Sequence, residues 1–198
     1  MAPEQEQAIA QDLEQTLAQV LALLRAQAPA PTPPGAHTLQ AIAQQLQGFA
    51  QRQRHALGFA DFPLPPGTGD AMSHYELFRD PDSGTTLYLN ALRAGVDSAI
   101  HDHGTWAIIA ALHGSECNRL YRPALEADGA CQEDPPPQLA REVWVRPGEA
   151  PLILGPADWH SIHTTEPALQ LHLYGQPLDQ LPPRRAYERH SGRLVWLG

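Results

Sequence analysis

The sequence predicts a mainly β protein, an antiparallel sandwich or barrel preceded by two α-helices. Three observations predict it. Apolar residues recur at helical steps through the first 54 residues. From Tyr75 onward the pattern changes to short apolar runs parted by turn signals, with no intervening helix. Twenty prolines in 198 residues mark frequent chain reversals.

The first helix is expected from Glu4 to about Gln27. Ile9, Leu13, Leu17, Val20, Leu21 and Leu24 recur at three- and four-residue steps among Gln, Glu and Ala, which draws one apolar stripe. The proline-rich stretch Ala28 to Gly35 ends it. A second helix is expected from Thr38 to Arg54, with Thr38 as N-cap and Leu39, Ile42, Leu46 and Phe49 on one face. Residues 1–60 thus read as a helical segment packed on the main body, and residues 71–198 as the β domain. The Pro/Gly-rich stretch from Phe62 to Asp70 is the boundary; Gly67-Thr68-Gly69 within it is too short and isolated for a nucleotide loop. Strands follow at Tyr75 to Arg79, Thr85 to Leu92, Ala99 to Leu112, Cys117 to Arg122, Arg141 to Arg146, Pro151 to Leu154, Trp159 to Thr164, Leu169 to Tyr174 and Leu194 to Leu197. Asp80-Pro81-Asp82-Ser83-Gly84 and Arg146-Pro147-Gly148 are turns between them, and the acidic, proline-rich Glu126 to Gln138 is an exposed loop.

Composition excludes several chemistries. The formal charge of -9 argues against nucleic acid or an anionic membrane as partner. The chain has no lysine, so Schiff-base chemistry, pyridoxal phosphate anchoring and a phosphate-loop lysine are excluded. Cys117 and Cys131 form neither a CxxC pair nor a zinc-finger spacing with His, and no apolar stretch reaches membrane-spanning length, so a reducing, cytoplasmic setting is expected.

The stretch that carries chemistry runs from Gly95 to Gly114. Five residues after Gly95 stand His101-Asp102-His103, then ten more residues lead to Gly114. On a β-strand the period of two would put both imidazoles on one face, ready to share a metal ion. A third ligand is offered by Gly155-Pro156-Ala157-Asp158-Trp159-His160, where a His follows a turn into a strand; His163, three residues on, would face the other way. His55 and His113 have no comparable frame. Three neutral imidazoles could hold Fe(II) for oxygen chemistry, or Zn(II) with an activated water, and ligand count does not decide between them. In Gln170-Leu171-His172-Leu173-Tyr174 the alternation places Gln170, His172 and Tyr174 on one strand face, where a His paired with a buried Tyr can orient that hydroxyl toward a ligand.

The Gly95, His101, His103, Gly114 frame resembles the first motif of the cupin superfamily, Gly, five residues, His-x-His, three or four residues, Glu, six residues, Gly. The Glu position falls on Ala107, so the usual carboxylate ligand is missing. The segment ending at His160 resembles the second cupin motif, with Asp158 interrupting its Gly pattern. Together with Leu171-His172-Leu173-Tyr174 these residues are similar to the bacterial thiol dioxygenases, the cysteine dioxygenase and 3-mercaptopropionate dioxygenase family, over roughly Tyr75 to Tyr174. The resemblance implies a cupin double-stranded β-helix and a non-haem Fe(II) site on His101, His103 and His160, with Zn or Ni able to occupy it in purified protein. It implies oxidation of a small thiol to its sulfinic acid by O2, with Tyr174 and His172 as catalytic residues. Arg79, Arg184, Arg185, His74 and Trp106 are the candidates for binding the substrate, an Arg pairing with its carboxylate. Expected partners are the thiol and O2, without nucleic acid or membrane, in a monomer or homodimer.

The departures are specific. Gln170 stands where the family has the Ser of its Ser-His-Tyr relay, and Ile108 where mammalian-type cysteine dioxygenases have the Cys that crosslinks to the Tyr, so a free Tyr174 is expected, as in the 3-mercaptopropionate branch. Two other readings compete: a three-His cupin dioxygenase cleaving a C–C bond in a β-diketone, and a non-catalytic cupin binding a metal or small molecule.

Overall fold

The computed structural model describes residues 3–27, 33–67, 70–122, 137–188 and 191–197. Cys131, most of the expected Glu126 to Gln138 loop, residues 28–32 of the first proline-rich stretch, and Thr68 and Gly69 lie outside the described residues. Two helices come first, α1 (Pro3–Arg25) and α2 (Ala36–Gln53). Eleven strands follow among the described residues: β1 (Met72–Arg79), β2 (Thr86–Leu92), β3 (Ile100–His101), β4 (Ala107–His113), β5 (Glu116–Arg122), β6 (Gln138–Val145), β7 (Leu152–Leu154), β8 (Trp159–His163), β9 (Ala168–Tyr174), β10 (Arg184–Tyr187) and β11 (Leu194–Leu197). No described helix is long and apolar enough to cross a membrane.

The strands form two antiparallel sheets, one of five in the order β1-β2-β9-β4-β7 and one of six in the order β11-β10-β3-β8-β5-β6. The chain passes repeatedly from one sheet to the other, as in double-sheet jelly rolls. The result is a mostly β sandwich preceded by two helices, and it fits the expected cupin architecture.

Alternation in the five-stranded sheet divides the core in two. Leu87 and Leu89 of β2, Ile108 and Leu112 of β4, and Leu169, Leu171 and Leu173 of β9 face outward and meet Leu39, Ile42, Leu46 and Phe49 of α2, with Leu17 and Val20 of α1 behind them. The residues between them face inward: Tyr88, Ala107, Ile109, Ala111 and Tyr174 pack with Val145, Leu152 and Leu154. Burial on both faces explains why β2 and β9 are buried at every residue.

Three local expectations need correction. Thr38 is not the N-cap of α2; the helix starts at Ala36 after an extended Gly35, and the Thr38 hydroxyl instead accepts a hydrogen bond from Gln27. The strand expected from Ala99 to Leu112 is broken in two. The Asp102 carboxylate accepts the Gly104 amide at 3.0 Å and Gly104 takes φ +61°, an Asx-type turn that ends β3 at His101. Strand β10 was not foreseen, because Arg184-Arg185-Ala186-Tyr187 follows two prolines and shows no apolar alternation.

Candidate metal centre

The two strands that carry His101 and His160 fix both side chains. His101 closes β3 directly opposite His160 on β8, so the two imidazoles are cross-strand neighbours. His103 has left the strand, and the turn at Gly104 returns it to the same place, so turn geometry rather than the expected strand periodicity brings the pair together. One ring nitrogen from each of His101, His103 and His160 lies within 4.8 Å of the others, and the ring centroids are 4.6, 4.6 and 5.3 Å apart.

Two of the outer nitrogens are already committed. His101 Nδ1 lies 3.0 Å from the Ala99 carbonyl and His160 Nδ1 lies 2.8 Å from Asn118 Oδ1. Oxygens there can only accept, so each Nδ1 carries its proton and each Nε2 keeps a lone pair. The His103 and His160 Nε2 atoms face each other at 3.0 Å, and His103 Nδ1 is buried without a hydrogen-bond partner among the described residues. Burial first, then the neighbouring imidazoles, holds His103 and His160 well below the ordinary histidine range, and burial lowers His101 as well. Three neutral imidazoles with converging lone pairs fit a borderline divalent cation such as Fe(II), Zn(II) or Ni(II). Ala107, at the motif's Glu position, is fully buried on β4 and contributes no ligand atom.

Beside the cluster lies Tyr174, whose ring centroid is 5.0 Å from that of His103. It shares the inner face of β9 with His172 and Gln170, and its hydroxyl is 3.0 Å from His172 Nδ1. Burial and then the Glu116 carboxylate push the Tyr174 hydroxyl far above its ordinary range, so it keeps its proton at neutral pH. Sequence reasoning missed Glu116 and Asn118. Both are fully buried on β5; Asn118 Nδ2 donates to Glu116 Oε1 at 2.7 Å, and Glu116 Oε2 stands 3.8 Å from His172 Nε2. The signal was the polar alternation Glu116, Asn118 directly after Gly114, hidden by a strand expected to start at Cys117.

The remaining candidates divide. Arg184 of β10 donates from Nη1 to the Asp102 carbonyl at 2.9 Å and lies against Gly104, so its charge stands beside the His101-Asp102-His103 turn. His74 Nδ1 donates to Asn90 Oδ1, 2.8 Å away, one cross-strand row from His172, and burial lowers its pKa. Arg79 is taken up by Glu76 and Asp179 at the edge of the five-stranded sheet, and Arg185 is exposed on the face of β10 opposite Arg184. Trp106 is the remaining substrate-binding candidate. It belongs to the outer core under the helices, beside a cavity of about 320 Å³ that Gln27, Thr105 and Gly175 also line, because the chain turns Ala107 inward and its neighbours outward. Ile108 goes outward with it, while Ile109 faces in. His163 faces Asp97, and His113 bonds the Leu57 carbonyl, away from the cluster.

No family model matches the chain, and no curated protein matches it. Solved structures similar to it include cupin-domain proteins. They include the cupin domain of an XRE-family transcriptional regulator from Enterobacter cloacae, 16% identical over 55% of this chain and 99% of that one, with a TM-score of 0.38. Another is a cupin superfamily protein from Desulfitobacterium hafniense, 9% identical over 57% of this chain and 84% of that one, TM-score 0.41. An oxalate decarboxylase from Lactobacillus farciminis is 16% identical over 58% of this chain and 31% of that one, TM-score 0.41. The fold is carried by this chain's own strand order and His register rather than by these scores. With its three converging imidazoles it is consistent with a metal-binding cupin.

Proposed function

We propose that this chain is a non-haem Fe(II) dioxygenase that oxidises a small thiol, 3-mercaptopropionate- or cysteine-like, to its sulfinic acid. The observation that carries the reading is the buried Tyr174 and His172 pair set against three imidazoles that no carboxylate joins among the described residues. The Tyr174 hydroxyl, fixed 3.0 Å from His172 Nδ1 in the interior, keeps hydrogen-bonding capacity for a bound ligand.

His101, His103 and His160 would hold the metal. When bound, Fe(II) supplies the redox chemistry by which O2 reacts at sulfur; the balance is RSH + O2 giving RSO2H, with both oxygen atoms on sulfur and no external reductant. Three neutral ligands leave the centre's full positive charge to favour an anionic thiolate. Arg184 supplies a cation for a substrate carboxylate beside the same turn. Tyr174 supplies a neutral hydroxyl, held by His172, beside the place where the substrate would bind, and Ile109, Ala107 and Leu154 surround it with apolar walls that keep water out.

Oxygen uptake by protein loaded anaerobically with Fe(II) tests this, with cysteine, 3-mercaptopropionate, cysteamine and a β-diketone as substrates. The expected result is uptake with one thiol and a product heavier by two oxygen atoms. Tyr174→Phe should slow that turnover by about 100-fold with the iron still bound. Uptake with the diketone alone would make the chain a C–C cleaving dioxygenase. Bound iron with no uptake from any substrate would favour a protein that binds without reacting.

A further inference from the structure

We infer that Glu116 is a positioning residue shared by the two halves of the site: through Asn118 it dictates which nitrogen His160 turns to the metal, and directly it dictates which nitrogen of His172 carries the proton. This rests on the reading of His101, His103 and His160 as metal ligands, and on no particular substrate.

The carboxylate of Glu116 is wholly buried and can only accept. It takes Asn118 Nδ2 at 2.7 Å, so the amide cannot be turned round without setting two acceptors against each other. Asn118 must therefore face His160 with Oδ1, at 2.8 Å, and His160 must carry its proton on Nδ1. The other carboxylate oxygen, Oε2, has no hydrogen-bond partner among the described residues and stands 3.8 Å from His172 Nε2, which has none either. That distance is too long for a hydrogen bond, yet an unshielded carboxylate so near favours the tautomer with its N–H on the facing nitrogen. His172 Nδ1 then keeps its lone pair, and the Tyr174 hydroxyl 3.0 Å away must donate to it. The proton of Tyr174 thus points to His172, and its lone pairs are left for a ligand.

One placement of protons is consistent across all five side chains, and it is the charge of Glu116 that sets it. A carboxamide at position 116 would still accept from Asn118 but would present N–H groups to His172. The His172 proton would move to Nδ1, and the Tyr174 hydroxyl would turn to accept from it.

The test reads both tautomers by two-bond 1H–15N correlation in Zn(II)-loaded, 15N-histidine-labelled protein. The expected result is His160 protonated on Nδ1 and His172 on Nε2 in the wild type. In Glu116→Gln, His172 should move to the Nδ1 form while His160 and the zinc stay. In Asn118→Ala, Zn(II) affinity should fall about 10- to 100-fold with His172 unchanged. His172 protonated on Nδ1 in the wild type would overturn the inference without any variant, as would an unchanged His172 in Glu116→Gln. A wild-type protein that binds no Zn(II) would remove the ligand assignment itself, and the His160 half of the inference with it.

Discussion

At the scale of single residues, the site is decided by which side of a strand a His occupies. His160 and His163 both stand on β8, but His160 lies opposite His101 in the register, whereas His163 lies opposite Cys117 and turns to Asp97. His160→Ala should therefore remove most of the metal measured by elemental analysis after Fe(II) or Zn(II) loading, a loss of at least about 100-fold in affinity. His163→Ala should bind as the wild type does; equal loss from both would break the ligand assignment. Motif spacing marks the three imidazoles in the sequence, and strand alternation marks Tyr174 and His172. Glu116 and Asn118 were not legible there, since a buried carboxylate and amide announce themselves only by what faces them across the barrel. Nothing in the linear order brings Glu116 to within 3.8 Å of His172. Their presence also bears on Ala107. The negative charge that the motif's missing Glu would place on the metal is set back at Glu116, joined to the cluster through Asn118 and His160.

At the scale of elements, the glycines set the boundaries that alternation alone leaves open. A run of apolar residues from Ala99 to Leu112 reads as one strand, and only the Asp102 side chain capping the Gly104 amide reveals the break that returns His103 to the cluster. Gly114 performs the corresponding task at the other end of β4, where the chain turns into β5. Its φ is +62°, and a Cβ there would stand 2.2 Å from the Pro167 carbonyl oxygen and 2.9 Å from Ala168 Cα. Both obstacles are backbone, so no side chain can move aside. Gly114→Ala should cost about 3 kcal/mol in denaturant unfolding, combining the left-handed penalty with the clash. Because β5 starts two residues later, the same variant should also weaken metal binding through Asn118. A loss below about 1 kcal/mol would show that the turn relaxes easily. The element boundaries were thus the least legible part of the sequence, since they depend on side-chain caps and on contacts made at long range.

For the whole molecule, the helices and the site share one sheet. Leu169, Leu171 and Leu173 face the helices from β9 while Gln170, His172 and Tyr174 face the sandwich interior, so each residue of that strand is held by its neighbours' packing on the opposite side. The apolar stripes of α1 and α2 are readable in the sequence, although not which sheet receives them. Without the helices, a continuous apolar surface from Leu87, Leu89, Ile108, Leu112, Leu169 and Leu171 would meet water, far more than a stable soluble domain exposes. Helices and sandwich should therefore unfold together rather than as two units. Phe49, fully buried where α2 meets the sheet, tests this. Phe49→Ala should cost about 3–5 kcal/mol and lower the melting temperature by roughly 10 °C. Far-ultraviolet circular dichroism and tryptophan fluorescence should still report one coincident transition, since Trp106 sits in the same outer core. If the helical signal were lost first, with the fluorescence transition left at its wild-type temperature, the helices would be a separate layer, and the packing of β9 would not depend on them.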